Sequence, residues 1–131
     1  MRVYLSVPMI SNRELGRARV MAEAIEDSGH TVSSPWVLAT PEVRGSVTDV
    51  FERDVGGVNS SSVIVADVSS PSIGVGMELM AAHMRGTRVV IAVKRGSVVS
   101  TMLMHMKPKE TVEFDGDGDL AEGLKRVLKT G

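Results

Sequence analysis

Short runs of apolar, β-branched residues recur along this chain, and they constrain its fold more than any other feature. The clearest run lies within Ser60–Val68, and others lie at Val3–Val7 and Val89–Val93. These runs are continuous rather than alternating, which is typical of strands in a sheet covered on both faces. Segments with helical apolar spacing separate them. The pattern predicts a three-layer α/β fold, flavodoxin-like or Rossmann-like, with a five-stranded, mostly parallel sheet and helices on both faces.

Boundary signals predict where the other elements begin and end. Ser11 and Glu14 are spaced as a capping box, which predicts a helix that starts after Ser11 and stops at Gly29. The further predicted elements are strands at Thr31–Ser34 and Thr111–Phe114, a loop at 35–46, helices at about Val47–Gly56, Gly76–Arg85 and Ser97–Met106, and a terminal amphipathic helix containing Leu120 and Leu128.

Composition excludes several classes of function. The 131 residues fit one domain, 1–131, and 15 basic against 16 acidic residues give no positive field for a nucleic-acid polymer. There is no cysteine, so disulfides and thiol nucleophiles are excluded. The three histidines lack zinc-site spacing, and we expect no metal and no other cofactor. No apolar run approaches the ~20 residues of a membrane helix, and no secretory signal precedes the first strand. We therefore expect a soluble cytoplasmic protein without a membrane partner.

The loop before the predicted Gly76–Arg85 helix is the most informative candidate site. In such folds, ligands bind beyond the carboxyl ends of the strands, where the strand order reverses. Three segments follow predicted strands and are therefore candidates for ligand binding: Ser6–Ser11, Val68–Glu78 and Lys94–Met102. The second combines Ser72 with Gly74 and Gly76, and free backbone N–H groups at a helix start favour an anion such as phosphate. It lacks the Gly-Lys-Ser/Thr of a P-loop and the third glycine of the dinucleotide fingerprint.

Two acidic residues are candidates for catalysis, and each has an ordinary alternative. Glu78 falls in the first turn of its predicted helix, where the macrodipole alone favours an acid, but it also suits a nucleophile beside the loop. Asp54 falls near the predicted end of its helix, where the macrodipole disfavours it. Two carboxylates at one site suit glycosidic chemistry. Tyr4, on the first strand, is either a core residue or a site residue, and Ser100 either caps a helix or lines the site.

Together these segments resemble the 2′-deoxynucleoside 5′-phosphate N-hydrolases, relatives of the nucleoside 2-deoxyribosyltransferases. The similarity covers almost the whole chain and rests on four segments: Val3-Tyr4-Leu5, Glu52-Arg53-Asp54, Val63–Leu79 and Ser97–Met102. It implies hydrolysis of a nucleoside 5′-monophosphate to free base and sugar 5-phosphate, with deoxynucleotides preferred, ribonucleotides left open and no metal required.

The resemblance also implies roles for the candidate residues. Glu78 matches the nucleophile that forms a glycosyl-enzyme, Asp54 matches the acid that protonates the departing base, and Tyr4 matches the aromatic residue of the sugar pocket. Ser72, with the amides of the two following glycines, matches the 5′-phosphate cradle. Ser100 matches a serine that reaches the phosphate of a neighbouring subunit, which implies a homodimer with shared active sites.

Further substrate contacts are expected from the first loop and from the Ser-x-Met segment: Ser6, Pro8, Met9, Ile10, Ser11 and Met102. The first loop departs from the family, whose members commonly have Gly-Ser and a nearby Arg or Gly there. Two other functions stay open, a deoxyribosyltransferase and a non-catalytic nucleotide-binding module. The transferases commonly carry Asp where this chain has Ser72, and since Asp repels a phosphate whereas Ser donates to one, the hydrolase is favoured.

Overall fold

The computed structural model describes residues 1–39 and 49–129. Within them, five parallel strands form one sheet: β1 (Arg2–Ser6), β2 (Thr31–Val32), β3 (Val63–Asp67), β4 (Arg88–Lys94) and β5 (Glu110–Phe114). The described α-helices are α1 (Leu15–Asp27), α2 (Val50–Asn59), α3 (Ile73–Met84), α4 (Thr101–Met104) and α5 (Asp117–Lys129), with a 3-10 turn at Pro35–Leu38. The predicted α/β fold is confirmed, and the sheet is parallel in every described pair.

The strand order is β2-β1-β3-β4-β5, so the order reverses between β1 and β3. Ligand sites of doubly wound sheets lie at this switch point. Side chains of β1 alternate between the two faces, as the pleat requires. Val3 and Leu5 pack in the cluster formed with α1 and α5, whereas Tyr4 packs with Ile64 on the opposite face, beside α2 and α3. A polar residue two positions after Tyr4 therefore points to the α2–α3 side.

The start of α1 differs from the prediction. The helix begins at Leu15, and the N-cap residue Glu14 makes no side-chain capping hydrogen bond, so the predicted capping box is wrong. Asn12 instead adopts a positive φ of 59°, which shapes the loop before the helix. At the other end, Gly29 has a φ of 87°, as the predicted helix stop requires.

The position of Asp54 within its helix also differs from the prediction. Asp49 caps α2 by accepting a hydrogen bond from the Glu52 amide, and the helix continues to Asn59. Asp54 therefore lies in the middle of α2, and the argument from an unfavourable C-terminal dipole is wrong. The predicted start at Val47 and most of the predicted 35–46 loop lie outside the described residues.

The helix that carries Glu78 begins earlier than predicted. Ser72 caps α3 by accepting from the Val75 amide at 3.3 Å, and the helix starts at Ile73 rather than Gly76. Glu78 thus lies in the second turn, and the first turn holds no acid. Stabilisation of the helix dipole therefore does not explain why an acid occupies position 78. The predicted Ser97–Met106 helix shrinks to α4, and Ser100 stands at its N-cap without a side-chain capping bond.

Candidate active site

Glu78 is held by two hydroxyl groups from β1. The Tyr4 hydroxyl donates to Oε2 of Glu78 at 2.6 Å, and the Ser6 hydroxyl donates to Oε1 at 2.6 Å. Both donors are almost fully buried, each about 1% exposed. Because Tyr4 and Ser6 are two positions apart on one strand, they face the same side. The carboxyl group is therefore fixed beyond the switch point of the sheet.

Burial and the neighbouring charges raise the pKa of Glu78 from its ordinary 4.5 to about 7. Desolvation is the largest cause, because a buried carboxylate loses hydration. The hydrogen bonds from Ser6 and Tyr4 act in the opposite direction, since they favour the ionised form. Asp54 raises the pKa further, through its charge and through a side-chain interaction that favours the protonated carboxyl. Burial, with Glu78 second, also raises the pKa of the Tyr4 hydroxyl far above its usual value.

The second acid is oriented by an arginine and a tryptophan. Nε of Arg53 donates to Oδ1 of Asp54 at 2.7 Å, and its guanidinium lies 4.6 Å from the centroid of the Trp36 ring. The Trp36 and Tyr4 rings meet edge to face with centroids 6.1 Å apart. Arg53 belongs to the Glu52-Arg53-Asp54 segment and Trp36 to the predicted 35–46 loop, but the sequence pattern predicted no role for either side chain. We call Tyr4, Ser6, Asp54 and Glu78 the carboxylate cluster.

A glycine of α2 makes room for this arrangement. A Cβ atom at Gly57 would stand 2.8 Å from Cε2 of Tyr4 and 3.3 Å from Cη2 of Trp36. The absence of a side chain at Gly57 lets α2 approach the aromatic pair. This close approach brings Asp54, on the same helix, towards the end of β1.

The residues expected to hold phosphate lie around a separate cavity of about 740 Å³ between α3 and the 98–106 segment. Its lining includes Ser72, Gly76, Ser100 and Met102, so segments distant in sequence meet there. Gly74 also lies exposed at the start of α3. We call Ser72, Gly74, Gly76 and Ser100 the serine–glycine rim. A Cβ atom at either glycine would meet nothing within 4 Å.

The first loop places its residues unevenly. Pro8 is buried and Met9 is partly buried, whereas Ile10 is 99% exposed and Ser11 is exposed as well. None of Pro8, Met9, Ile10 and Ser11 is among the residues that line the described cavity beside α3. Their predicted substrate contacts stay predictions.

An ion pair ties the end of β3 to α1. Nη1 of Arg17 donates to Oδ2 of Asp67 at 3.1 Å, and the guanidinium lies 5.3 Å from the Phe114 ring centroid. Oδ1 of Asp67 accepts from the Ser69 amide, and the Ser69 hydroxyl accepts from the Lys94 amide. These bonds anchor the start of the loop that leads to Ser72. Asp67 is 3% exposed, so the pair acts on the scaffold of the loop.

Two searches of residues 1–39 and 49–129 bear on ligands and environment. No group of three or more His, Cys, Asp or Glu side chains in these ranges is placed to hold a metal ion. None of the helices described there is long and apolar enough to cross a bilayer.

Comparison with known proteins decides the family. No general protein-family profile matches the chain. A Thermofilum pendens protein with the provisional name 2′-deoxynucleoside 5′-phosphate N-hydrolase 1 is 34% identical over 108 residues, which are 79% of this chain and 76% of that protein. A Methanococcoides burtonii protein of the same provisional name is 34% identical over 110 residues, covering 79% and 89% of the two chains. The chain belongs to the 2′-deoxynucleoside 5′-phosphate N-hydrolase family.

Solved structures place this N-hydrolase family member in a wider fold group. The Clostridium botulinum CMP N-glycosidase superposes with a TM-score of 0.73 at 14% identity, over 97% of this chain and 99% of that one. A 2-deoxyribosyltransferase from Bacillus psychrosaccharolyticus superposes with a TM-score of 0.70 at 21% identity, over 92% and 90%. At these identities the likeness shows a shared fold. The predicted resemblance and fold are confirmed.

Proposed function

We propose that this chain hydrolyses the N-glycosidic bond of nucleoside 5′-monophosphates, with deoxynucleotides preferred, and releases (deoxy)ribose 5-phosphate and the free base. One observation carries the proposal: Glu78 is a largely buried carboxyl with a donor on each oxygen and a second acid beside it. With a pKa of about 7, a substantial share of Glu78 is ionised near neutral pH, as a nucleophilic carboxylate must be. The two relatives at 34% identity carry a name for this activity.

The first step divides the work between the two carboxyl groups. Ionised Glu78 attacks C1′ of the sugar, and the C1′–N bond breaks as the C1′–O bond forms. Asp54 gives its proton to the departing base, which leaves more readily when protonated. This step needs Glu78 in its ionised form and a proton donor beside the leaving base. Positive charge that develops at C1′ is stabilised by the adjacent carboxylate.

The second step resolves the glycosyl-enzyme with water. Asp54, now ionised, takes a proton from a water molecule while the oxygen of that water attacks C1′. The bond between C1′ and Glu78 breaks, and Glu78 leaves as a carboxylate. The sum is nucleotide plus water giving sugar 5-phosphate plus base. A deoxyribosyl centre lacks the electron-withdrawing 2′-hydroxyl, so its oxocarbenium-like transition state forms more readily, which favours deoxynucleotides.

The serine–glycine rim is proposed to bind the 5′-phosphate. The Val75 and Gly76 amides already bond the hydroxyl and carbonyl of Ser72, so the phosphate is left the amides at the very start of α3. The first turn has no acid, and Gly74 and Gly76 are open to close approach. The Ser72 and Ser100 hydroxyls both lie on the cavity wall, where they can donate to phosphate oxygens.

A homodimer with shared sites is proposed on the same surface. Apolar side chains that line the cavity are also exposed, including Met80 at 39%, Val98 at 89% and Met102 at 73%. Large exposed apolar patches mark interfaces in water-soluble proteins. A second copy seated there would bring its own Ser100 towards the neighbouring rim. Light scattering that finds only monomer at assay concentration would remove this part of the proposal.

A deoxyribosyltransferase is the second candidate, because acceptor base instead of water could resolve the same glycosyl-enzyme. The transferases commonly carry Asp at the position of Ser72. Because a serine hydroxyl can donate a hydrogen bond to a phosphate, Ser72 favours the hydrolase. A base-exchange assay with labelled acceptor separates the two, since only a transferase forms labelled nucleoside.

The test is release of free base, followed by chromatography, from a panel of deoxy- and ribonucleoside 5′-monophosphates and the matching nucleosides. We expect release from monophosphates, and its loss in Glu78→Ala. Glu23→Ala, at an exposed position of α1, is the matched control and should retain full turnover. Tight nucleotide binding with no release by the wild type would instead support a non-catalytic binding module.

A further inference from the structure

We infer that Ser6 is a positioning residue for Glu78: its hydroxyl holds one carboxylate oxygen while Tyr4 holds the other, so that the carboxylate is kept in a single orientation and in its ionised, attacking form. The inference rests on the proposed function, because it assigns Glu78 the nucleophilic role. It gives Ser6 a task that is distinct from contact with the substrate.

The geometry supports a two-point hold. Ser6 ends β1 and is paired in register with Ala66 of β3, in the middle of the sheet, so its backbone is rigidly placed. The two 2.6 Å bonds fall on different oxygens of the carboxyl group. One donor would leave the group free to rotate about its last side-chain bond, whereas two donors on separate oxygens define its plane.

The surroundings explain why a second donor matters. Burial opposes ionisation of Glu78, and so does Asp54 from α2, whose own partner is Arg53. The hydrogen bonds from Ser6 and Tyr4 of β1 favour the ionised form and so lower the pKa of Glu78. The bond from Ser6 lowers it more than the bond from Tyr4. Hydrogen bonds to charged groups are stronger than bonds between neutral groups, so loss of one shifts the balance towards the protonated acid.

The hydroxyl of Ser6 has no second proton to offer a phosphate. Ser6 is about 1% exposed, and its proton is donated to Glu78. A direct phosphate contact would have to break the bond to Glu78. The position of the side chain therefore favours action through Glu78 over action on the substrate.

The test is the pH profile of kcat/KM for Ser6→Ala. Loss of the donor should move the acidic limb up by about one pH unit. A limb moved from about 7 by one unit lowers kcat/KM about tenfold at pH 6 and little at pH 9. Ser6→Thr, which keeps the hydroxyl, should restore the limb.

Ser34→Ala is the matched control. Ser34 is buried, and its hydroxyl bonds the amide and carbonyl of Leu5 on the same strand without touching Glu78. We expect this variant to lower the unfolding temperature and leave the acidic limb where it is. If Ser6→Ala lowers kcat/KM by one factor at every pH, Ser6 is merely structural. If it raises KM with an unmoved limb, Ser6 contacts the substrate. Either result overturns the inference.

A direct titration separates this inference from the proposed function. The carboxyl carbon of Glu78, followed by NMR in protein with labelled glutamate, reports ionisation without any turnover. A higher midpoint in Ser6→Ala than in the wild type supports the hold even if no nucleotide is cleaved. Equal midpoints in the two proteins overturn it even if the hydrolase activity is established.

Discussion

The carboxylate cluster and the serine–glycine rim both include residues of α3, and they differ in how complete they are. In the cluster, Tyr4 and Ser6 are buried and both oxygens of Glu78 carry a donor. At the rim, Gly74 and Gly76 are exposed, and Gly76 borders an open cavity. The groups to which we assign bond breaking are thus already hydrogen-bonded to one another in the free chain. The groups to which we assign phosphate binding are exposed to solvent.

This difference has a physical reason. A carboxyl group that attacks C1′ must be oriented before the reaction, because reorganising it in the transition state would raise the barrier. A phosphate brings its own charge and acceptors, so amides and hydroxyls that water solvates in the free protein suffice to bind it. The cluster should therefore be sensitive to small changes, and the rim should tolerate them in folding while losing affinity.

After the loss of Glu78 itself, Asp54→Asn should cause the largest fall in turnover within the cluster. It removes the proton donor, so turnover should fall by about 10²–10⁴. It also removes a negative charge beside Glu78, so the acidic limb of the pH profile should move to lower pH, opposite to Ser6→Ala. Steady-state assays of base release across pH measure both. Glu52→Gln, exposed on the same helix, is the control, and an equal loss in that variant would contradict the role of Asp54.

Glu78→Gln should stabilise the fold at alkaline pH. The folded pKa of about 7 lies above the ordinary 4.5, so the native state holds the proton more tightly and the free energy of unfolding falls as pH rises between these values. The neutral amide avoids this loss, so the variant should gain up to about 3 kcal/mol at pH 8. Urea unfolding at pH 4 and pH 8 tests it. The difference between variant and wild type should shrink at pH 4, and a pH-independent difference would refute the raised pKa.

Adjacent glycines of α2 test how tightly the cluster is packed. Gly57→Ala places a Cβ atom 2.8 Å from the Tyr4 ring, so it should lower the free energy of unfolding by about 1–3 kcal/mol and reduce turnover. Gly56→Ala meets nothing within 4 Å and should raise stability by about 1 kcal/mol through helix propensity. Denaturant unfolding of the pair decides the matter. Equal effects would show that α2 is not packed closely against Tyr4.

Gly76→Ala should act on binding without disturbing the packing of the fold. Its Cβ meets no protein atom within 4 Å, so the free energy of unfolding should rise by up to about 1 kcal/mol through helix propensity, as for Gly56→Ala. Because Gly76 borders the cavity, the added methyl should raise KM for monophosphates about tenfold, equivalent to about 1.4 kcal/mol, with kcat little changed. Gly16→Ala, equally open but on α1, is the control. An unchanged KM would place the phosphate elsewhere.

Most of the fold could be predicted from the sequence. Strands of a sheet that is covered on both faces need continuous apolar runs, and such runs can be recognised in consecutive residues. The sequence was less reliable at helix ends. The Ser11–Glu14 pattern fits a capping box, yet the helix starts at Leu15, since a capping pattern permits a helix start without forcing one. Because α3 starts at Ile73 and α2 continues to Asn59, neither Glu78 nor Asp54 lies in the terminal turn in which the sequence placed it. The helix dipole therefore explains neither residue. The meeting of these two acids depends on packing between helices, which no local signal encodes.

By itself, the sequence determined the α/β class, the parallel sheet and the family, because strand periodicity and the Ser-Gly loop before Glu78 are written in consecutive residues. Only the tertiary structure decided what surrounds that carboxyl. Ser6 and Glu78 are separated by 72 positions, and the bond between them exists because β1 lies next to β3 and α3 packs against β3. The raised pKa has the same origin, since burial and the nearness of Asp54 are properties of packed elements. Contacts between distant segments follow from how the layers close, and that closure optimises the whole core rather than any one stretch of chain.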